Sequence, residues 1–79
     1  MERMYENIRV LRVLRGFPQK YLAQELDIHQ SYYSRIEHGQ IDIPLSLLLK
    51  ISSFYSVPLE NLLRDDLANA AKILAQKTN

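Results

Sequence analysis

Residues 27–39 of this 79-residue chain read DIHQSYYSRIEHG and gather the side chains best suited to specific recognition. An amide, a hydroxyl, a phenol and a guanidinium stand close together there, at Gln30, Ser31, Tyr32 and Arg35. Glutamine can pair with adenine through two hydrogen bonds, serine bonds to either base type, and arginine reaches guanine or a phosphate. If the segment is a helix, one of its faces therefore carries side chains suited to binding a partner, which an ordinary solvent-exposed face does not need.

Catalytic and metal-binding chemistry is not favoured by the residues present. The chain has no cysteine and two histidines, which excludes a disulfide framework and a thiolate metal site and argues against a structural zinc. No clustered set of histidine, cysteine and acidic residues suggests a nucleophile or a general base. We interpret His29 and His38 as loop and cap residues, and we expect no enzymatic activity, no cofactor and no metal.

The length and charge of the chain limit how many domains it can form and which partners it can bind. A chain of this length fits one domain, and so small a domain buries only about 60 to 65% of its unfolded surface. The formal net charge is +1, so a basic face for nucleic acid has to come from the fold. The N-terminal residues carry charges, and the longest uncharged apolar run, IPLSLLL, is too short to span a bilayer. We expect a soluble, cytoplasmic protein without membrane contact.

Apolar residues recur at helical spacing, and glycines and prolines separate the helical segments. The pattern predicts a first helix at about 3–15, a second at about 18–25 and a third ending near 37. In the third helix Tyr33 and Ile36 are expected to face inward. Gly39 is expected to close it in a left-handed conformation.

The second half of the chain continues the helical pattern. A fourth helix begins at Pro44, with an apolar face that includes Leu45, Leu48 and Leu49, and a short fifth helix follows. No strand pattern occurs in the sequence. We therefore predict an all-α, compact five-helix domain over residues 1–64 and a helical tail over residues 65–79.

The predicted helix, turn and helix in PQKYLAQELDIHQSYYSRIEHG resemble the lambda-repressor-like (XRE or Cro-type) DNA-binding family. The resemblance covers residues 8–63 and rests on these matching positions: Ile8, Arg9, Leu11, Arg12, Gly16, Gln19, Leu22, Ala23, Leu26, Ile28, Ser34, Glu37, Gly39, Pro44, Leu48, Ile51, Val57, Leu62 and Leu63. Pro18 and His29 depart from the pattern, because the family usually places an oxygen-bearing helix cap there. Asp27 stands where the family usually has glycine, although aspartate tolerates left-handed backbone better than most residues.

The resemblance implies which residues contact DNA. In such a motif the second helix lies in the major groove, which assigns base contacts to Gln30, Ser31, Tyr32 and Arg35. A phosphate contact is implied for Gln19 at the start of the second helix, and Lys20, His38 and Gln40 on the flanks are further candidates for phosphate contacts. The family also pairs the positions of Arg12 and Glu37 in a buried salt bridge. The implied function is a sequence-specific regulator of transcription, and in particular a repressor, on double-stranded DNA.

Other interpretations of the same residues stay open at this point. Tyr32 also fits an ordinary half-buried surface aromatic, Gln19 a polar helix-start residue, and Arg35 a solvated charge. An antitoxin or adaptor module that binds a protein is the alternative function on this fold. A protein-binding face is expected to expose more aliphatic side chains than the third helix carries.

A symmetric homodimer is the expected assembly. One helix-turn-helix reads only a few base pairs, so the family typically binds a palindromic operator with half-sites about 34 Å apart. Apolar residues continue beyond the five-helix core, and we predict a two-fold interface from six of them: Leu59, Leu62, Leu67, Ala70, Ala71 and Leu74. The alternative is a tail that folds back onto the first helix of its own domain.

Overall fold

The computed structural model describes residues 2–63, with side chains from Met4 onward, and every regular element in that range is an α-helix. The helices are α1 (Glu2–Leu14), α2 (Gln19–Glu25), α3 (Gln30–Glu37), α4 (Leu45–Tyr55) and α5 (Leu59–Leu63). The predicted all-α, five-helix architecture is confirmed. None of these five helices is long and apolar enough to cross a membrane. The predicted tail at 65–79 lies outside the described residues, so the division of the chain at residue 64 stays a prediction.

Helices α2, α3 and α4 begin without a hydrogen bond from a capping side chain. Pro18, His29 and Pro44 occupy the N-cap positions with extended backbone, and none of the three supplies a cap oxygen. Because the two prolines are caps rather than first helical residues, α2 and α4 each begin one residue later than predicted. An absent cap costs about 1 kcal/mol per helix, so packing has to stabilise these helix starts.

Left-handed backbone ends helices and forms the turn between α2 and α3. Gly39 has a φ of 67°, as predicted, and a Cβ at this position would lie 3.5 Å from the ring of Tyr5. Asp27 has a φ of 58° in the α2–α3 turn, where aspartate takes the place of glycine. Ser56, with a φ of 55°, ends α4 in the same conformation. The chain therefore turns sharply between α2 and α3 without a glycine.

The core lies between the five helices, and α3 is held inside it by α1 and α2. Fourteen apolar side chains of the described residues are buried: Met4, Ile8, Leu11, Leu22, Ala23, Leu26, Tyr33, Ile36, Leu47, Leu48, Ile51, Tyr55, Val57 and Leu62. The predicted inward positions of Tyr33 and Ile36 are confirmed. Because one side of α3 is packed in this way, its other side is presented to solvent as a fixed surface.

Helix α4 is rotated relative to the prediction. Leu47 and Leu48 are buried, whereas Leu45 and Leu49 have 63% and 48% of their surface exposed. At 100° per residue, Leu45 and Leu49 fall on one side of the helix, away from the stripe that includes Leu47, Leu48 and Ile51. The predicted apolar face, which included Leu45 and Leu49, is therefore not the face that packs, and the two leucines form an exposed i, i+4 pair.

Leu62 lies in the core of its own domain rather than on a surface for a second copy. Its side chain has no exposed area, and its backbone carbonyl accepts a hydrogen bond of 2.9 Å from Nδ2 of Asn7 on α1. A fully buried side chain has no surface left to lose in a dimer, so the sequence-based assignment of Leu62 to the dimer interface is corrected. Leu59 is half-buried, and Leu67, Ala70, Ala71 and Leu74 lie outside the described residues.

Candidate nucleic-acid interface

The solvent side of α3 carries most of the residues predicted to read bases. Gln30, Ser31 and Arg35 are exposed, whereas Tyr33, Ile36 and Glu37 on the other side are buried. Burial of one side leaves the α3 backbone little freedom to rotate. The three exposed polar side chains therefore project from a rigid support, which is the arrangement that base recognition requires.

Tyr32 is placed differently from the other three predicted base-reading residues. Its ring is half-buried against the core, at the edge of a cleft of about 200 Å³ between α3 and α4. Ser46 and Lys50 of α4 line the same cleft. The aromatic ring of Tyr32 thus contributes partly to packing. A contact of Tyr32 with a bound partner is therefore favoured at the edge of the exposed face of α3 rather than in the middle of that face.

Two of the predicted phosphate-binding residues lie at the start of α2. Lys20 is exposed and Gln19 is half-buried. The amide Nε2 of Gln19 donates a hydrogen bond of 3.1 Å to Oε1 of Glu37 on α3. One N–H of that amide remains for a phosphate, and the inner bond fixes the direction in which it points.

The other two predicted phosphate-binding residues follow the end of α3. His38 and Gln40 are both exposed. Nδ1 of His38 lies 2.7 Å from the carbonyl oxygen of Ser34. Because a carbonyl oxygen only accepts, Nδ1 has to carry the proton, and the remaining nitrogen of the neutral ring is then an acceptor. His38 can therefore donate to a phosphate through Nε2 only when its ring is doubly protonated.

An ion pair between the partly buried Arg12 and the buried Glu37 ties α1 to α3. Nε of Arg12 lies 2.7 Å from Oε2 of Glu37, and the second guanidinium contact, from Nη2 to Oε1, measures 3.1 Å. Nη1 of Arg12 donates to the carbonyl oxygen of Phe17 at 2.8 Å, which holds the turn before α2. The pair is bidentate, as is frequent for arginine and carboxylate. One guanidinium thus joins α1, the α1–α2 turn and α3.

Tyr33 completes this cluster, and sequence reasoning assigned it only a packing role. Its hydroxyl donates a hydrogen bond of 2.5 Å to Oε2 of Glu37. Both carboxylate oxygens then accept two hydrogen bonds each, from Arg12, Tyr33 and Gln19. The sequence does contain a signal for this contact, because Tyr33 and Glu37 are four residues apart and hence neighbours on one side of a helix.

These contacts keep the Glu37 carboxylate charged. Burial by itself raises the pKa of Glu37, but the hydrogen bonds from Arg12, Tyr33 and Gln19 outweigh burial and hold the pKa below its ordinary value. The bond to Glu37 also raises the pKa of Arg12, while burial, followed by the same carboxylate, raises the pKa of Tyr33. The cluster is therefore a charged group, paired around Glu37 on the buried side of α3.

No metal centre accompanies this surface in the described part of the chain. Among residues 2–63, no group of three or more histidine, cysteine or acidic side chains is placed to hold a metal ion. What the arrangement offers is hydrogen-bond donors and acceptors on one side of α3, with cationic and amide groups beside it. Such groups can bind a partner through hydrogen bonds and charge.

Comparison with known proteins identifies the family. The model of a helix-turn-helix family matches residues 8–62. The chain belongs to this lambda-repressor-like helix-turn-helix family, whose members are DNA-binding regulators of transcription. The matched range extends from α1 into α5 and includes α2, α3 and the turn between them.

Two curated relatives of the helix-turn-helix domain are known from Mycobacterium tuberculosis, in strains CDC 1551 / Oshkosh and ATCC 25618 / H37Rv. Each is an HTH-type transcriptional regulator RamB and is 42% identical to this chain over 50 residues. The match covers 63% of this chain but only 10% of the relative. No solved structure matches the chain significantly.

Proposed function

We propose that this helix-turn-helix domain binds double-stranded DNA sequence-specifically in the cytoplasm and acts as a transcriptional repressor, with α3 in the major groove. The observation that carries the proposal is the division of α3 into a buried side and an exposed polar side with Gln30, Ser31 and Arg35. The major groove of DNA admits a helix and presents a distinct pattern of donors and acceptors for each base pair. The similarity to a transcriptional regulator supports the same conclusion.

Each exposed residue of α3 has a role in this proposal. Gln30 pairs with an adenine, Ser31 bonds to a neighbouring base, and Arg35 reaches a guanine or the backbone one turn further along. Tyr32 touches a thymine methyl group or a phosphate at the edge of the helix. Contacts to phosphates from Gln19, Lys20, His38 and Gln40 set the register of α3 on the duplex without reading sequence.

The distribution of charge supports DNA binding despite the small net charge. Glu37 is the one acidic residue of α3, and it is buried and paired with Arg12. Helix α3 therefore presents no exposed carboxylate to the duplex, whereas Arg35 and the nearby Lys20 are exposed. What attracts a phosphate backbone is the charge of the docking face rather than the net charge of the chain.

We further propose a homodimer that binds a palindromic operator. Two half-sites about 34 Å apart require two recognition helices in one assembly. Leu59 of α5 is partly exposed and can contribute to a two-fold interface, together with Leu67, Ala70, Ala71 and Leu74 beyond the described residues. The buried Leu62 is left out of this proposal.

A protein-interaction module, of the antitoxin or adaptor type, is the second candidate function. The exposed pair Leu45 and Leu49 on α4 favours it, because exposed aliphatic side chains in a row are typical of a protein-binding face. The pair lies on α4 and leaves the polar side of α3 free. The two functions are therefore compatible in one domain, and DNA binding is the one that α3 supports.

Selection of random duplexes on the purified 79-residue chain tests the proposed function. We expect enrichment of a two-fold symmetric sequence at moderate, stated salt concentration, since salt strongly affects such affinities. A Gln30→Ala variant should enrich a site with one relaxed position in each half. Enrichment of no sequence above background by the parent chain would reject sequence-specific binding.

A further inference from the structure

Lys50 of α4 lies in a part of the surface that the family resemblance does not assign to DNA. It lines the cleft of about 200 Å³ between α3 and α4, together with Tyr32 and Ser46. Lys50 and Ser46 are exposed, and Tyr32 is half-buried. One cleft beside α3 is thus lined by three residues that carry an ammonium group and two hydroxyl groups.

These three groups have the chemistry of a phosphate site. An ammonium group carries three donors and a full positive charge, and hydroxyl groups of serine and tyrosine donate to phosphate oxygens in protein–DNA contacts. Among the side chains that the structure describes, no carboxylate forms an ion pair with Lys50, and the pair between Arg12 and Glu37 leaves it uninvolved. The charge of Lys50 is therefore available to an external anion.

The position of the cleft relative to α3 makes DNA the source of that anion. Tyr32 and Glu37 are five residues apart on α3, which separates them by about 140° around the helix. Gln19 contacts the Glu37 side of α3, and Lys50 adjoins the Tyr32 side. A helix in the major groove has a phosphate backbone on each side, so cations on both sides of α3 match the shape of the groove.

We propose that Lys50, assisted by Ser46 and Tyr32, binds a backbone phosphate of the duplex on the side of α3 opposite to Gln19 and Lys20. The inference rests on the proposed DNA-binding function and extends it from α3 to α4. Lys50 and Lys20 hold two different phosphates, and the two contacts together centre α3 in the groove. Tyr32 then acts at the groove wall, in agreement with its half-buried ring.

Asp27 places a negative charge beside this proposed phosphate site. It lines the same cleft from the α2–α3 turn, and its carboxylate opposes a phosphate there. Aspartate is kept at that turn in a left-handed conformation that asparagine adopts equally well. The Asp27→Asn variant is therefore expected to bind the selected DNA more tightly than the parent chain, and weaker binding by this variant would count against a phosphate in the cleft.

A scan of the selected duplex with single uncharged methylphosphonates tests the proposal directly. Replacing a contacted phosphate should weaken binding by the parent chain at that position. In the Lys50→Gln variant one such position should lose its effect, and in the Lys20→Gln variant a different position should lose its effect. The slope of log K against log salt should fall in magnitude by about 1 in each variant, while Lys50→Arg should keep the parent slope and profile.

The outcomes separate this inference from the proposed function. If the parent chain selects a site but Lys50→Gln keeps both its salt slope and its methylphosphonate profile, the phosphate site on α4 is wrong and DNA binding through α3 stands. If the parent chain selects no site at all, both proposals are wrong. Circular dichroism of each variant, compared with the parent, shows that the helical fold is unchanged.

Discussion

The side-chain amide of Gln19, at the start of α2, donates a hydrogen bond of 3.1 Å to the buried carboxylate of Glu37 on α3. Glu37 in turn is held by Arg12 of α1 and by the hydroxyl of Tyr33. A side chain proposed to touch DNA is thus oriented by the same carboxylate that joins α1 to α3. Stability of the domain and positioning of Gln19 are therefore expected to change together when this cluster is altered.

Gln30 and Gln19 are expected to respond differently to replacement by alanine. A bidentate contact from glutamine to adenine contributes about 1 to 3 kcal/mol of discrimination, so Gln30→Ala should relax preference at one base position. Gln19→Ala should weaken binding to all duplexes alike, because a phosphate contact carries no sequence information. Competition binding with single-base variants of the selected duplex measures both effects. Parent-like binding by both variants would show that α3 does not read the groove as assigned.

Breaking the Arg12–Glu37 pair should destabilise the domain strongly. Removal of one partner leaves an unpaired buried charge and should lower the free energy of unfolding by about 3 to 5 kcal/mol. Arg12→Met with Glu37→Leu should cost much less than the sum of the single changes. Urea unfolding of the four proteins gives the cycle, and Arg9→Met, an exposed arginine of the same helix, should change stability by less than about 0.5 kcal/mol. Additive single losses would show that the two side chains act independently.

The two adjacent tyrosines of α3 provide a matched pair of variants. Tyr33→Phe removes the donor to the charged Glu37 while keeping the buried ring, and should cost about 1.5 to 3 kcal/mol of unfolding free energy. Tyr32→Phe removes a hydroxyl from a half-buried ring and should change stability by less than about 0.5 kcal/mol. The Tyr32→Phe change should instead affect the affinity for DNA. Equal losses of stability in the two variants would contradict the special role of the Tyr33 hydroxyl.

Stability should fall in acid through Glu37. The pKa of this carboxyl in the folded chain lies below its ordinary value of 4.5, so the unfolded chain binds a proton first as pH decreases. The contribution of Glu37 is then fully present above about pH 4.5 and is lost as pH falls through the lower folded-state pKa. The difference in unfolding free energy between the parent and Glu37→Gln should therefore shrink below pH 4.5. A difference that stays constant from pH 7 into that range would show that Glu37 titrates normally.

The oligomeric state of the full chain tests the dimer. Sedimentation at micromolar concentration is expected to give a dimer for the full chain and a monomer for a version that ends at Arg64. A Leu59→Glu variant should weaken the dimer, because it places a charge in the proposed interface. A full chain that stays monomeric at high micromolar concentration, and that binds a single half-site on DNA, would exclude the symmetric assembly.

The helical spacing of apolar residues and the positions of glycine and proline were enough to predict the five helices, because both are local properties of the sequence. Gly39 could be assigned to left-handed backbone for the same reason. For Asp27 the turn position came from the resemblance, because aspartate tolerates left-handed backbone without requiring it. The rotation of α4, which exposes Leu45 and Leu49, could not be predicted, because several apolar faces compete on a leucine-rich helix and packing decides among them. Leu62 and Lys50 illustrate the same limit, since burial of one and the cleft around the other depend on which helices become neighbours.

The crowded carboxylate of Glu37 also constrains how this sequence can change over generations. Each of its four accepting positions is filled, so losing the donor from Arg12, Gln19 or Tyr33 leaves a buried lone pair unmatched. Whether a replacement is tolerated at one of these positions then depends on which residues occupy the others. The order in which substitutions arise therefore decides which further substitutions are tolerated. In a mutational library, positions 12, 19, 33 and 37 should consequently vary as a linked group, whereas Gln30 and Ser31, with no partner in that cluster, should remain free to change binding specificity one residue at a time.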